Sequence, residues 1–213
     1  MADFVDGFDQ LVLASSNPGK LRELSAMLQP LGITVRTQRE WSIEDAVEDG
    51  LTFVENALIK ARHASRHTGL PALGDDSGLV VDALQGKPGI FSSRYAGPDA
   101  DDRANNRKLL EALRDVSTEN RGAHFYCAMA WLRHAEDPAP LISIGSWPGF
   151  ILEELRGDGG FGYDPLFWLP SKQCTSAELA ADEKNQLSHR GQALSNLAAK
   201  MKSEFRKSEH GTR

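Results

Sequence analysis

Asp75-Asp76-Ser77-Gly78 sets two carboxylates side by side after an apolar run. In a strand, neighbouring side chains point to opposite faces, so one acid could enter a cleft while the other faces elsewhere. A carboxylate placed that way could ligate Mg2+, a hard cation that takes only one or two protein oxygens. It could also accept a proton from water. Asp-Ser-Gly is equally ordinary turn composition, and both readings stand on these residues alone. Glu48, before Thr52, is either a second metal carboxylate or a solvated loop acid.

Ser15, Ser16, Asn17, Pro18, Gly19 and Lys20 lie between a strand-like run and a helix-like run. A helix N-terminus offers unpaired N–H groups and a partial positive charge, and a phosphate satisfies both. The stretch is not a Walker A loop, which would need glycine where Ala14 stands and Ser or Thr where Leu21 stands. It reads as a phosphate cradle or as a capped turn with a solvated lysine. Asn56 and Lys60 are four apart and share a helix face. Lys60 is then a surface lysine or a second phosphate contact.

Gly159-Gly160-Phe161-Gly162-Tyr163-Asp164 interleaves glycines with two aromatics. Flexible backbone beside a ring suits a flat base, since aromatic–base stacking contributes about 1–3 kcal/mol. A tight turn with its rings in the core fits the same letters. Lys184, His189 and Arg190 surround the start of the last helix. An arginine there could offer its fork of donors to a carbonyl-rich ring, and His189 alone reads as a cap or surface residue. His63, His67, His124, His134 and His210 show no ligand spacing. No Cys or Ser paired with a histidine base is visible, so no covalent intermediate is indicated.

The elements that must position these residues read as α/β. Gln10–Ala14 is a short buried strand. Leu21, Leu24, Leu28 and Leu31 recur at helical spacing from Lys20, Gly32 ends that helix, and Ile33–Arg36 is a second strand. Thr52-Phe-Val-Glu55 is a capping box that opens a helix, with Glu55 as its acid. Pro71–Asp75 and Leu79–Leu84 are strands split by Asp76-Ser77-Gly78. Gly86–Pro98 is a loop, Asp99–Val116 a helix, and Ala123–Arg133 with Leu141–Glu154 an antiparallel pair. Gly157–Asp164 is a loop. His189–Phe205 closes the core through Leu194, Leu197, Ala198, Met201 and Phe205. The class is α/β with a central mixed sheet flanked by helices. The second-half strands form a second lobe, and the site is expected in the cleft between lobes. One two-lobed domain spans 10–206, with 1–9 and 207–213 as flexible termini.

Composition narrows the function. The chain has 213 residues and a net charge of −6, which argues against a nucleic-acid partner, because non-specific binding there rests on a positive field. Hydrophobic content of 40% against 25% charged excludes a disordered chain. Two cysteines with no CxxC argue against structural zinc or a disulfide scaffold. No apolar run approaches the roughly 20 residues of a membrane span, and Met1–Gln10 lacks the basic start of a signal peptide. The expectation is a cytoplasmic protein with no membrane partner.

Taken in order, SSNPGK, GLTFVENALIKA, GDDSGLVVDAL, GKPGIFSSRYAG, GGFGYDPLF and EKNQLSHRGQAL resemble the inosine triphosphate pyrophosphatase family, also described as dITP/XTP pyrophosphatases. The match runs from Leu11 to about Lys200. Members hydrolyse deaminated purine nucleoside triphosphates to monophosphate and pyrophosphate. The resemblance implies that Ser15–Lys20 hold the triphosphate with Lys60 and Lys184, that Asp76 is the catalytic carboxylate and a Mg2+ ligand, and that Glu48 is the second acid. It implies that Ser77 touches the nucleotide, that Phe161, Gly162, Tyr163 and Asp164 frame base and sugar, and that His189 and Arg190 read the base, with Arg94 a further contact. The family usually shows alanine where Ser93 precedes Arg94, a change small enough to leave function unaltered. It also implies a homodimer. A pyrophosphatase for modified pyrimidine nucleotides and a non-catalytic nucleotide-binding module are the alternatives.

Overall fold

The protein is described from a computed structural model that covers residues 10–29 and 32–210, with the side chains of Met27 and of 204–210 left aside. Leu31, the Phe205 side chain and the ends 1–9 and 211–213 lie outside the described residues.

Seven strands form one sheet: β1 (Gln10–Ala14), β2 (Thr34–Thr37), β3 (Ala72–Val81), β4 (Gly122–Leu132), β5 (Leu141–Ile151), β6 (Phe167–Leu169) and β7 (Cys174–Thr175). Their order is β2-β1-β3-β4-β5-β6-β7. β1 runs parallel to β2 and β3, with Val12 opposite Arg36 and Ala72, whereas β6 is antiparallel to β5 and β7. The sheet is therefore mixed, as expected. The helices are α1 (Pro18–Leu28), α2 (Phe53–Thr68), α3 (Asp102–Ala112), α4 (Ala181–Leu187) and α5 (His189–His210). Among the described residues, no helix is long and apolar enough to cross a membrane.

By contacts the chain divides into two compact units. The first comprises residues up to Asp76, Ala128–Gly145 and Arg190 onward. Its buried residues include Leu11, Val12, Leu13, Leu24, Ala57, Ala61, Leu73, Met129 and Leu197. The second comprises Ser77–Cys127 and Ser146–His189. Its core gathers Leu79, Leu109, Phe125, Trp147, Ile151, Tyr163, Leu166 and Phe167.

Local sequence explains most boundaries. Thr52 caps α2, accepting from Glu55 N at 3.2 Å, while the Glu55 carboxylate accepts from Leu51 N at 2.9 Å. Gly69 closes α2 in the left-handed region at φ 71°. α3 is shorter than Asp99–Val116 at both ends. Asp101 caps its start, accepting from Ala104 N at 2.7 Å, and the Arg121 guanidinium takes the Leu113 and Val116 carbonyls, each at 2.9 Å. β3 is one continuous strand, not two pieces around Asp76-Ser77-Gly78. The polar residues that read as a turn stay extended because their carboxylates find cationic partners within the fold. α5 runs on to His210.

Candidate active site

β3 carries Asp75 and Asp76 to different partners, as alternation along a strand requires. Asp75 is fully buried and lies 3.2 Å from Lys20 Nζ and 3.5 Å from Arg190 Nε. Burial works to raise its pKa, but the charges on Lys20, Arg190 and Lys60 outweigh that and hold it well below the usual carboxylate range. Arg190, itself 2% exposed, also donates through Nη1 to Glu23.

Asp76 faces the other set. Its Oδ1 accepts from Lys60 Nζ at 3.1 Å and its Oδ2 from Asn56 Nδ2 at 3.2 Å. Lys60 Nζ also lies 3.1 Å from Glu48 Oε1. Asn56 is fully buried, and its Oδ1 accepts from Gly50 N at 3.0 Å, which ties the segment after Glu48 to the helix that holds Asp76. Burial raises the Asp76 pKa, and Glu48 adds to the rise against the opposing pull of Lys60 and Lys20. Burial would lower Lys60, yet Asp76, Glu48 and Asp75 outweigh it and raise its pKa.

Gly74 makes this geometry possible. A Cβ there would sit 2.1 Å from the Ala57 carbonyl oxygen, so only glycine lets α2 lie close enough on β3 for Asn56 and Lys60 to reach Asp76.

Asn17 caps α1, its Oδ1 accepting from Gly19 N at 2.9 Å and Lys20 N at 3.1 Å. The N–H groups expected to meet a phosphate are thus held by a side chain that a stronger acceptor can displace. Asn17 N donates to Ser15 Oγ at 3.3 Å, and Ser16 donates to Asp45. Gly19 is buried and Pro18 exposed.

The remaining candidates lie in the second unit. Asp164 accepts from Phe161 N at 2.9 Å, Ser176 Oγ at 2.8 Å and Lys184 Nζ at 2.6 Å. Lys184 Nζ also stands 5.1 Å from the Phe161 ring centroid. Gly160 has φ 73°, and a Cβ there would fall 2.0 Å from Asp164 Oδ2, so the turn requires glycine. The two rings of the loop part company. Tyr163 enters the core and donates to Ser92 O at 2.8 Å, while Phe161 stays half-buried. His189 is buried and stacks on Phe125 at 4.8 Å with 12° between planes. Ser77 is half-buried, and Arg94 lies over Phe91 at 5.4 Å.

The structure thus brings together Lys20, Glu48, Lys60 and Asp76 with three residues that the sequence reading left without a role: Asp75, Asn56 and Glu23. The spacing of Asn56 and Lys60 was a visible signal for the second of these. Asp75 is legible only as one of two adjacent acids, and Glu23 carries no signal, because their partner Arg190 is remote in sequence. Lys184 goes with Asp164, Phe161 and Ser176.

The donor set suits a hard cation: Glu48 and Asp76 are carboxylates that already share one cationic group, Lys60, at 3.1 Å from each. Among the described residues no group of three or more His, Cys, Asp or Glu forms a full ligand cage. Mg2+ needs none, since it keeps waters and takes substrate phosphate oxygens.

A mixed α/β sheet with acids and lysines interlocked at β3 defines the class. The Ham1 family model matches residues 11–200. The dITP/XTP pyrophosphatase of Shigella flexneri is 56% identical over 185 residues, which is 87% of this chain and 94% of that protein. Its counterpart from Thioalkalivibrio sulfidiphilus is 57% identical over the same shares. Among solved structures, a HAM1 protein from Coxiella burnetii superposes with TM-score 0.84 at 52% identity, covering 91% of this chain and 98% of that one. A Mycobacterium abscessus protein described as a nucleoside-triphosphatase / dITP/XTP pyrophosphatase gives 0.71 at 42%, covering 88% and 97%. The chain belongs to the Ham1 family.

Proposed function

We propose that this chain is a nucleoside triphosphate pyrophosphatase that hydrolyses ITP, dITP and XTP to the monophosphate and pyrophosphate. The observation that carries the reading is Lys60 Nζ at 3.1 Å from both Asp76 and Glu48, in a chain of this family. A triphosphate is strongly anionic, so a protein of net charge −6 must meet it with local cations, and Lys20 and Lys60 supply them.

Water attacks the α-phosphorus, forming a P–O bond as the bond to the bridging α–β oxygen breaks and pyrophosphate leaves. Asp76 takes the water proton, and burial favours this by making its carboxylate hold a proton more tightly than an exposed one. Lys20 holds the outer phosphates with the Ser15–Gly19 turn, where phosphate displaces the Asn17 side chain from Gly19 N and Lys20 N. Lys60 moves from its carboxylates to phosphate oxygen. Glu48 and Asp76 would hold Mg2+, which neutralises phosphate charge when bound. Phe161 stacks on the base, Gly162–Asp164 frame it with the sugar, and Lys184 contributes charge. Ser77, His189 and Arg190 complete the contacts. We also infer a homodimer working on the cytoplasmic nucleotide pool. Light scattering should give about twice the 23.3 kDa chain mass.

Pyrophosphate release over a nucleotide panel with Mg2+ tests this. ITP, dITP and XTP should be good substrates, with ATP and GTP poor. Turnover of methylated pyrimidine triphosphates with ITP inert would replace the reading. Binding without pyrophosphate would make the chain a binding module.

A further inference from the structure

Helix α3 grips one residue of the Phe161–Asp164 loop at both of its backbone polar groups. Gly162 N donates to Asp102 Oδ2 at 2.7 Å, and Gly162 O accepts from Asn106 Nδ2 at 2.8 Å. Asp102 and Asn106 are four apart on α3 and so share a face. Neither bond belongs to a helix or strand ladder. The helix is a rigid mount: Asp101 caps it, Leu109 is fully buried in the core, and Asn105 ties it to Ser93 O at 3.1 Å and Ala96 N at 2.8 Å.

Asn106 shows what the contact costs. The residue is 4% exposed, and its Oδ1 is buried with no hydrogen-bond partner among the described residues. An apolar side chain would leave no such orphan, whereas asparagine spends its donor on Gly162 and strands its acceptor. Phe161 N to Asp164, Tyr163 OH to Ser92 O, and Ser176 and Lys184 to Asp164 fix the residues on either side of Gly162. Among the described residues, the α3 pair alone holds Gly162, next to the half-buried Phe161 ring.

We propose that Asp102 and Asn106 are positioning residues that set the placement of the base-binding loop, and through it the preference among purines, without touching the nucleotide. This rests on the reading of Phe161–Asp164 as the base-binding loop. Sites held by regular elements are more exact than free loops, and a displacement of about 1 Å can cost about 10²-fold in rate.

Steady-state kinetics of the full chain on ITP and GTP test it, using Asn106→Ala, Asp102→Ala and Asp102→Asn. Both alanine variants should raise KM for ITP and narrow the ITP-over-GTP ratio of kcat/KM by about tenfold, the effect of one lost hydrogen bond. Asp102→Asn keeps an oxygen acceptor and should stay within about twofold of wild type. A purely structural role would lower the active fraction, cutting apparent kcat alike on both nucleotides and leaving KM and the ratio alone. An unchanged ratio in the alanine variants overturns the proposal, as does an Asp102→Asn as impaired as Asp102→Ala. Asp102 is exposed, so its variants decide the matter even where Asn106→Ala fails to fold. A wild type with no preference for ITP overturns the reading of the loop and this proposal with it. A selective wild type with unaltered variants overturns the proposal alone.

Discussion

The cluster at β3 and the loop at Phe161–Asp164 both set lysine against aspartate, yet they are built by opposite means. At β3 the charged groups are shared among several partners. Lys60 is shared by two carboxylates, and Asp75 is shared by Lys20 and Arg190. Asp75 would keep Arg190 if Lys20 turned to a phosphate, and a cation held by Glu48 and Asp76 would replace the charge that Lys60 withdraws from both. At the loop, Asp164 is saturated by a lysine, a hydroxyl and a backbone N–H, and Gly162 is held from α3. Sharing suits a region that exchanges partners during turnover. Saturation suits one that must keep a shape.

The largest effect should come from breaking the shared side at its centre. Asp76→Asn is nearly isosteric and keeps one of the two bonds, from Lys60 or from Asn56, through its single oxygen, so the fold should survive. It loses the proton acceptor and the negative charge, and kcat should fall by about 10²–10⁴. A variant that keeps more than about a tenth of wild-type kcat in a pyrophosphate-release assay would remove Asp76 from the chemistry.

The saturated side should break differently, through stability. Lys184→Met strips the ammonium from Asp164, whose side chain is 4% exposed, and leaves a buried charge with neutral partners only. Removing one partner of a buried pair typically costs about 3–5 kcal/mol. Thermal unfolding should register that loss, and Lys184→Met,Asp164→Asn should recover part of it. A single variant as stable as wild type would show that Ser176 and the Phe161 amide suffice, and would erase the contrast between the two regions.

Legibility in the sequence follows the same divide. The Thr52–Glu55 cap and the Asn56–Lys60 spacing are local, and local signals survive in a string of letters. β6 and β7 are too short to show a period, and α4 is only two turns long, so none was visible. Asp-Ser-Gly is turn composition and divides β3 into two strands on the letters alone, because the cations that straighten it lie far along the chain. The same distance hid Asp75: Lys20 and Arg190 come from opposite ends of the sequence. For Tyr163 and Phe161 the letters allow both core and surface, and the fold sends Tyr163 into the core and leaves Phe161 half-buried.

A milder change separates binding from chemistry on the shared side. Lys20→Ala leaves Asp75 paired with Arg190, so little stability should be lost. If Lys20 holds the outer phosphates, KM for the triphosphate should rise by about tenfold or more, the effect of a lost charge-assisted bond, while affinity for the monophosphate product barely moves. Equal losses for both ligands, measured by product inhibition, would place Lys20 away from the outer phosphates.

Arg190 is the smallest and most discriminating case. Its guanidinium is buried against Asp75 and Glu23, which fits a structural residue as well as a base reader. Arg190→Ala still leaves Asp75 its bond to Lys20, so the protein should fold and the question can be put kinetically. Hypoxanthine and xanthine carry an oxygen at C6 and no amino group at C2. Adenine sets a donor at C6, and guanine keeps the oxygen but adds a donor at C2. A guanidinium facing that edge attracts the C6 oxygen and repels the C2 amine, so one side chain supplies both the favourable and the unfavourable contact. Losing it should lower kcat/KM for ITP and narrow the advantage over GTP by about tenfold, since GTP loses an attraction and a repulsion together. If ITP and GTP instead fall by one common factor, the guanidinium serves only to hold Asp75 and Glu23, and base choice belongs wholly to the glycine-rich loop.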